Sequence, residues 1–135
     1  MIKIGLDVHG VVTDHPNPKF IVELTKTLVA AGHEVHILSG PTKSYIEKEL
    51  KPFEITYTHI FSIEDHLISK GLPYTMNKKE EKIFNRYEWD RAKGDYCAEN
   101  NIDLHLDDSD IYQGFFRTPY GRVRTKTKRP FYVKN

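Results

Sequence analysis

The segment Ile2-Lys3-Ile4-Gly5-Leu6-Asp7-Val8-His9-Gly10-Val11-Val12-Thr13-Asp14, at the start of the chain, indicates the fold class most clearly. Its first five residues are mostly apolar and rich in β-branched side chains, which predicts a short buried strand. The strand ends at the carboxylate of Asp7, and Gly10 permits a sharp backbone turn shortly after it. Open α/β sheets bind ligands beyond the carboxyl ends of their strands, so Asp7 is the first candidate functional residue.

A helix and a second strand follow this first strand. Apolar residues recur at helical spacing from Phe20 to Val29, and Gly32 is a typical helix stop. Residues 33–38 predict a second strand that ends at Ser39-Gly40-Pro41. A strand, a helix and a strand in this order form a βαβ unit, whose right-handed crossover makes the two strands parallel neighbours.

The rest of the chain continues the alternation. The expected elements are a helix over 42–50 capped near Thr42 or Ser44, a strand over 53–61, a helix from Ser62 to Gly71, a helix over 89–101 and a strand over 102–106. Between them, residues 72–88 predict an irregular segment whose run Lys78–Lys82 is a solvated loop or helix face. The pattern predicts one α/β domain over residues 1–135, with a mostly parallel central sheet and helices on both faces.

Polar groups follow three of the predicted strands, and all three strand ends should open on the same edge of the sheet. They are Asp7, Ser39 and the pair Asp107-Asp108. Lys93 lies on the helix that leads to the last of these strands. The sequence therefore predicts one crevice that gathers carboxylates, a hydroxyl and an ammonium group.

These residues resemble the motifs of the haloacid dehalogenase (HAD) superfamily. Its first motif is Asp-x-Asp-Gly-[Val/Thr]-x-x-Asp, and the matching residues here are Asp7, Gly10, Val11 and Asp14. His9 stands where the family has its second Asp. A Ser, a Lys and an acidic pair then follow in the family's order, so the resemblance covers residues 2 to about 110. It implies a HAD-like Rossmannoid three-layer sandwich with no large cap domain.

The resemblance also implies a Mg²⁺-dependent phosphatase that acts through an aspartyl-phosphate. Asp7 would attack phosphorus, because a covalent intermediate divides a difficult hydrolysis into two easier steps. Lys93 would stabilise the charge on the phosphoryl group and on Asp7. Ser39 would hold phosphoryl oxygens together with backbone N–H groups near Gly40 and Gly10. The substrate would be a phosphate monoester, either a phosphorylated small molecule or a nucleic-acid end.

Magnesium prefers a few carboxylates, several waters and octahedral geometry. The implied protein ligands are Asp7, the backbone carbonyl of His9 and one of Asp107 or Asp108, with Asp110 a more distant candidate.

His9 has two interpretations. With an unperturbed pKa of about 6.5, an imidazole could replace the family's acid/base Asp near neutral pH. Alternatively, the replacement marks a weak or inactive relative that only binds phosphate compounds and metal.

The other candidates have structural alternatives. Asp7 could be a strand-end turn residue, Ser39 could cap the following helix, and Lys93 could be a solvated surface side chain. The cluster from Asp107 to Asp110 could be a solvated loop, and Asp14 is expected to hold the loop after the first motif.

The length of the chain limits the size of any lid over the site. Residues 43–92 are too few for a full lid domain, so the site should be open. An open site suits a large substrate or needs a neighbouring subunit as a lid, and the capless sugar-phosphate phosphatases of the family are oligomers. The last 25 residues have seven basic side chains and no acidic one. With Tyr112, Phe115, Phe116 and Tyr120 they suit a nucleotide or polynucleotide, or else form a final strand packed on the core.

Composition excludes several classes. The formal net charge of +1 provides no strong global field toward nucleic acid or membranes. The single Cys97 cannot form an internal disulfide. The start of the chain has no signal-peptide pattern, and no apolar run approaches the ~20 residues that span a bilayer. A cytoplasmic protein with no membrane partner is expected.

Overall fold

The computed structural model describes residues 1–123 of the chain. Its principal elements are β1 (Lys3–Leu6), α1 (Pro18–Ala30), β2 (Glu34–Ser39), α2 (Lys43–Leu50), β3 (His59–Ser62), α3 (Ile63–Ser69), β4 (Tyr74–Met76), β5 (Lys82–Phe84), α4 (Arg86–Glu99), β6 (Leu104–Asp107), α5 (Asp110–Gln113) and β7 (Tyr120–Arg122). Five strands form a parallel sheet in the order β3-β2-β1-β6-β7, and β4 and β5 form a separate antiparallel hairpin. The predicted α/β fold with a parallel sheet is confirmed, and the architecture is Rossmann-like.

Helices cover both faces of the sheet, as alternation along β2 illustrates. Val35 and Ile37 belong to a core cluster with Ile21 of α1 and Ile46 of α2. Leu38, on the opposite face, belongs to a second cluster formed with buried residues of α3 and α4. Side chains alternate across a strand, so a sheet covered on both sides needs apolar residues at nearly every position.

The predicted strand over 53–61 is wrong in its first half. The strand begins only at His59, and a short 3₁₀ turn over Lys51–Phe53 precedes Glu54, whose φ is +54°. Phe53, Ile55 and Tyr57 are half-buried against the first core cluster. Their apolar side chains pack a loop against the core. Such a loop has the same apolar composition as a buried strand.

The predicted irregular segment over 72–88 contains the hairpin of β4 and β5 and the start of α4. Helix α4 begins at Arg86, where the side chain of Asn85 caps it, rather than at residue 89. Lys78, Lys79, Glu80 and Glu81 are exposed, so the solvated interpretation of that run is confirmed except at Lys82, which lies in β5.

The predicted cap at Thr42 is confirmed, and the structure also has a cap at Ser62. Thr42 accepts a hydrogen bond from the backbone of Tyr45, and Ser62 accepts one from the backbone of Asp65. The alternative that Ser39 caps the helix after it is therefore wrong, because Thr42 does so.

The basic residues from Arg124 onward lie outside the described residues. Within residues 1–123, no helix is both long enough and apolar enough to cross a bilayer.

Candidate functional site

The predicted crevice lies where the strand order changes direction. β2 pairs with one side of β1 and β6 with the other, and both are parallel to β1. Asp7 directly follows β1, and its N–H donates to the carbonyl of Leu106 in β6. Asp107 is the last residue of β6. Ligands of open α/β sheets bind at such a switch point, beyond the carboxyl ends of the two diverging strands.

Lys93 brings the two carboxylates together. Its Nζ donates to Asp7 Oδ1 and to Asp107 Oδ2, at 2.9 Å in each case. The three residues are buried, with Lys93 only 2% exposed, so the interpretation of Lys93 as a solvated surface side chain is wrong. An ammonium group is almost never buried unless it is paired, and the two carboxylates supply that pairing.

The opposite charges of Lys93 and the carboxylates of Asp7 and Asp107 keep Lys93 and Asp107 ionised. Burial lowers the pKa of Lys93, but the carboxylates of Asp7 and Asp107 outweigh burial and raise that pKa above its ordinary value. Burial raises the pKa of Asp107, but the hydrogen bond from His105 and the charge of Lys93 bring it down to about 2. An ion pair between Lys93 and Asp107 is therefore a permanent part of the site at neutral pH.

Asp7 behaves differently. Burial raises the pKa of Asp7, and the charge of Lys93 lowers it. The negative charges of Asp107 and Asp108 raise it further, so that the pKa of Asp7 is about 7. Three carboxylates against one ammonium group leave an excess of negative charge, and a bound cation would relieve it.

His105 supports Asp107, a role that the HAD motifs do not indicate. Its Nε2 lies 2.9 Å from Asp107 Oδ2, and both side chains are fully buried. Burial lowers the pKa of His105, so the ring is neutral and Nε2–H donates to the carboxylate. The other carboxylate oxygen accepts from the N–H of Ser109. Two-residue spacing on β6 places His105 and Asp107 on one face, which is the signal that the sequence offered.

The loop after β1 closes tightly on itself and on Asp108. The carbonyl of Val8 accepts from the N–H groups of Val12 and Thr13. Gly10 has a φ of +85°, and a Cβ placed there would lie 2.4 Å from Asp108 Oδ2. A glycine is thus required twice over, by its left-handed backbone and by the carboxylate packed against it.

His9 is oriented by a carboxylate from α2. Its Nε2 lies 2.8 Å from Glu49 Oε2, and its side chain is 62% exposed. No local pattern singles out Glu49, because the two residues are forty positions apart in the chain. Glu49 Oε1 is buried and has no hydrogen-bond partner among the described residues.

Ser39 and Gly40 lie at the same sheet edge, at the end of β2. Ser39 is 2% exposed. The carbonyl of Gly40 accepts from the N–H of Glu64, and a Cβ on Gly40 would lie 2.8 Å from the indole of Trp89. The loop after β2 is therefore held between α3 and α4.

Aromatic side chains close the site from one side. Lys93 Nζ lies 4.7 Å from the centroid of the Tyr112 ring, and the Trp89 indole N–H donates to the Tyr112 hydroxyl. Phe116 stacks on His105 at 4.9 Å, with Tyr120 tilted beside it. Phe116 and Tyr120 thus pack on the core as the structural alternative predicts, and β7 adds a parallel strand beside β6.

The donor set fits a hard divalent cation. Asp7, Asp107 and Asp108 each offer a carboxylate oxygen, and these atoms lie within 4.8 Å of one another. Oxygen-only ligands suit Mg²⁺, Ca²⁺ or Mn²⁺ rather than the softer transition metals. Both Asp107 oxygens already accept hydrogen bonds, and Asp108 is half-buried against the loop after β1. Asp7 and one of Asp107 or Asp108 are therefore the candidate direct ligands.

A cleft of about 540 Å³ adjoins Gly40, beneath the hairpin. Its charged lining comprises Glu64, Glu80, Glu81 and Lys82. Lys82 Nζ lies 3.7 Å from Glu64 Oε1, so the lining has a net negative charge.

Comparison of the chain with family models, with curated proteins and with solved structures finds no match.

Proposed function

We propose that the protein is a Mg²⁺-dependent phosphohydrolase of the HAD type, which cleaves a phosphate monoester through an aspartyl-phosphate. The observation that supports this best is the buried Lys93, bonded to both Asp7 and Asp107 at the switch point of a parallel sheet. A buried ammonium group beside a carboxylate that is still 11% exposed suits nucleophilic attack on an anionic centre.

In the proposed reaction, a carboxylate oxygen of Asp7 attacks phosphorus while the ester P–O bond breaks. The departing alkoxide takes a proton from the imidazolium of His9. Water, deprotonated by the then neutral imidazole, attacks the aspartyl-phosphate, and release of inorganic phosphate restores Asp7. Lys93 stays protonated throughout and stabilises the negative charge beside Asp7 Oδ1.

Asp7, the backbone carbonyl of His9 and one of Asp107 or Asp108 would hold Mg²⁺, and Asp107 would also position Lys93. When bound, the ion would neutralise phosphoryl charge. Backbone N–H groups near Gly10 and Gly40, with the Ser39 hydroxyl, would hold the phosphoryl oxygens.

The pairing of His9 with Glu49 supports a second candidate function, a protein that binds metal and phosphate without turnover. Glu49 Oε2, 2.8 Å from His9 Nε2, orients the imidazole, and an oriented ring suits a general acid. The same contact can also hold the ring away from a leaving group. Only turnover separates these two functions.

The cleft beside Gly40 favours a small substrate. Three glutamates against one lysine repel a polyanion, so a hydroxyl-rich or cationic leaving group fits better than a polynucleotide. Among the substrate classes open to a capless site, we therefore place sugar phosphates and similar small monoesters before nucleic-acid ends.

The deciding experiment measures phosphate release from sugar phosphates, nucleotides and phosphorylated oligonucleotides, with Mg²⁺ or with EDTA. We expect metal-dependent release that falls to background in Asp7→Asn. His9→Ala should lower the rate about 10²–10⁴-fold if the imidazole is the acid and base, while His15→Ala is the matched histidine control.

Calorimetry measures the binding of Mg²⁺ and of phosphate to the same protein, independently of turnover. Binding of Mg²⁺ and phosphate without phosphate release from any substrate would favour the second function, a protein that binds metal and phosphate without turnover. Release that persists in EDTA or in Asp7→Asn would contradict the proposed mechanism.

A further inference from the structure

A second cluster of metal-ligating side chains lies at the opposite end of β2 from the candidate functional site. Glu34, His36 and His59 each offer one ligand atom, and these atoms lie within 4.8 Å of one another. Glu34 precedes Ser39 by five residues, which is about 16 Å along a strand, so the two sites are separate.

The sheet itself brings the three residues together. Glu34 and His36 are two residues apart on β2 and share one face. His59 is the register partner of His36 on β3, and the two imidazole rings stack at 4.1 Å with an interplanar angle of 4°. Parallel pairing therefore determines the arrangement, rather than a chance meeting of surface side chains.

The hydrogen bonds of His59 leave its Nε2 available for a metal. Its Nδ1 lies 2.8 Å from Thr58 Oγ1, and that hydroxyl also lies 3.0 Å from the carbonyl of Val35. A hydroxyl has one proton, so both contacts are hydrogen bonds only if Nδ1–H donates to Thr58 and Thr58 donates to Val35. This tautomer directs the lone pair of His59 to Nε2.

His36 has a matching partner on α4. Its Nδ1 lies 2.7 Å from the Tyr96 hydroxyl, and its Nε2 lies 2.8 Å from Glu34 Oε1. A phenol both donates and accepts, so Tyr96 can accept from Nδ1–H when Nε2 binds a metal. Ligating histidines usually donate their other ring N–H in this way, which holds the ring in place.

We propose that Glu34, His36 and His59 form a binding site for a divalent transition-metal ion, with zinc as the expected occupant. Two imidazoles and one carboxylate are a donor set typical of zinc, whereas the all-oxygen set near Asp7 suits magnesium. His36 is buried and serves as the rigid ligand, while His59 is exposed and can turn its ring toward the ion. The ion would tie β3, at the edge of the described sheet, to β2.

The test titrates tag-free protein with Co²⁺ and Zn²⁺ in excess Mg²⁺, which competes for the carboxylates near Asp7. Visible Co²⁺ absorption reports nitrogen-containing coordination, and thermal denaturation reports stabilisation by bound Zn²⁺. The variants are His59→Ala and Glu34→Gln, which avoid the fully packed His36 side chain. Controls are His15→Ala, outside the cluster, and Asp108→Asn, in the other site, with circular dichroism to check the fold of each.

We expect one equivalent of Co²⁺ or Zn²⁺, bound at least about tenfold more weakly in His59→Ala and Glu34→Gln but not in the controls. Zinc should also shift the ¹⁵N resonances of Nε2 in His36 and His59. Absence of binding to the wild type, or binding that survives both variants, would overturn the site. Neither result depends on whether the protein hydrolyses phosphate.

Discussion

At the scale of single residues, the site is organised by unequal numbers of opposite charges. Lys93 is bonded to two carboxylates, and Asp108 adds a third negative charge nearby. Asp107 keeps its charge because His105 and Lys93 both stabilise it. The imbalance falls on Asp7, whose pKa rises to about 7, and makes the site receptive to a cation.

This charge imbalance predicts a pH dependence of stability for the metal-free protein. Since the folded-state pKa of Asp7 is raised, its contribution is complete below the unfolded value of 3.8 and is lost as pH rises through about 7. Between pH 5.5 and 8.5 in EDTA, the wild type should lose about 2 kcal/mol of unfolding free energy beyond any loss in Asp7→Asn. Urea denaturation of both proteins measures the difference. Equal losses would mean that Asp7 does not titrate in the folded protein within this range.

At the scale of elements, the loop between β1 and α1 positions the candidate metal ligands. Gly10 combines a left-handed backbone with close packing against the carboxylate of Asp108. Gly32, after α1, has nearly the same φ of +88°, but a Cβ there would meet nothing within 4 Å. The chain therefore offers two glycines with nearly equal left-handed φ and unequal surroundings.

The two glycines allow a matched pair of substitutions. Gly10→Ala and Gly32→Ala should both lose about 1–2 kcal/mol of stability to left-handed strain. Only Gly10→Ala should also weaken Mg²⁺ binding, because its methyl group displaces Asp108. Calorimetric Mg²⁺ titration, beside urea denaturation, distinguishes the two effects. Similar Mg²⁺ affinities in both variants would remove Asp108 from the metal site.

At the scale of the whole molecule, two core clusters on opposite faces enclose the parallel sheet. Cys97 belongs to the cluster beneath α4 and is 0% exposed. Burial raises the pKa of its thiol to about 12, so the reactive thiolate is scarce as well as inaccessible. Its exposure requires α4 to leave the sheet.

Labelling of Cys97 should therefore report global unfolding. A chromogenic thiol reagent should react with the native protein slowly, at a rate that follows the fraction unfolded in urea. The free energy from labelling and that from urea denaturation should agree. Much faster labelling would indicate that α4 opens locally, and would make the helix that positions Lys93 a mobile element.

Features that depend on residues close together in the chain could be predicted from the sequence, and features that depend on distant residues could not. Apolar periodicity and the handedness of crossovers predicted the parallel sheet and the shared edge of Asp7 and Asp107, because both depend on local patterns. The strand predicted from residue 53 failed because a loop packed on the core has the same apolar composition. The hairpin of β4 and β5 was missed because its strands are short and mostly exposed.

Which polar residues end the strands, and that these ends share one edge, follows from the chain alone, because parallel strand direction and side-chain alternation are set by local patterns. How those residues pair depends on the tertiary fold. Lys93 reaches Asp7 across 86 positions, and Glu49 reaches His9 from another element. The cluster of Glu34, His36 and His59 exists only once β3 pairs with β2 in one register. These contacts depend on burial and packing between segments that are distant in the chain. The hydrophobic pattern of a single segment does not predict them.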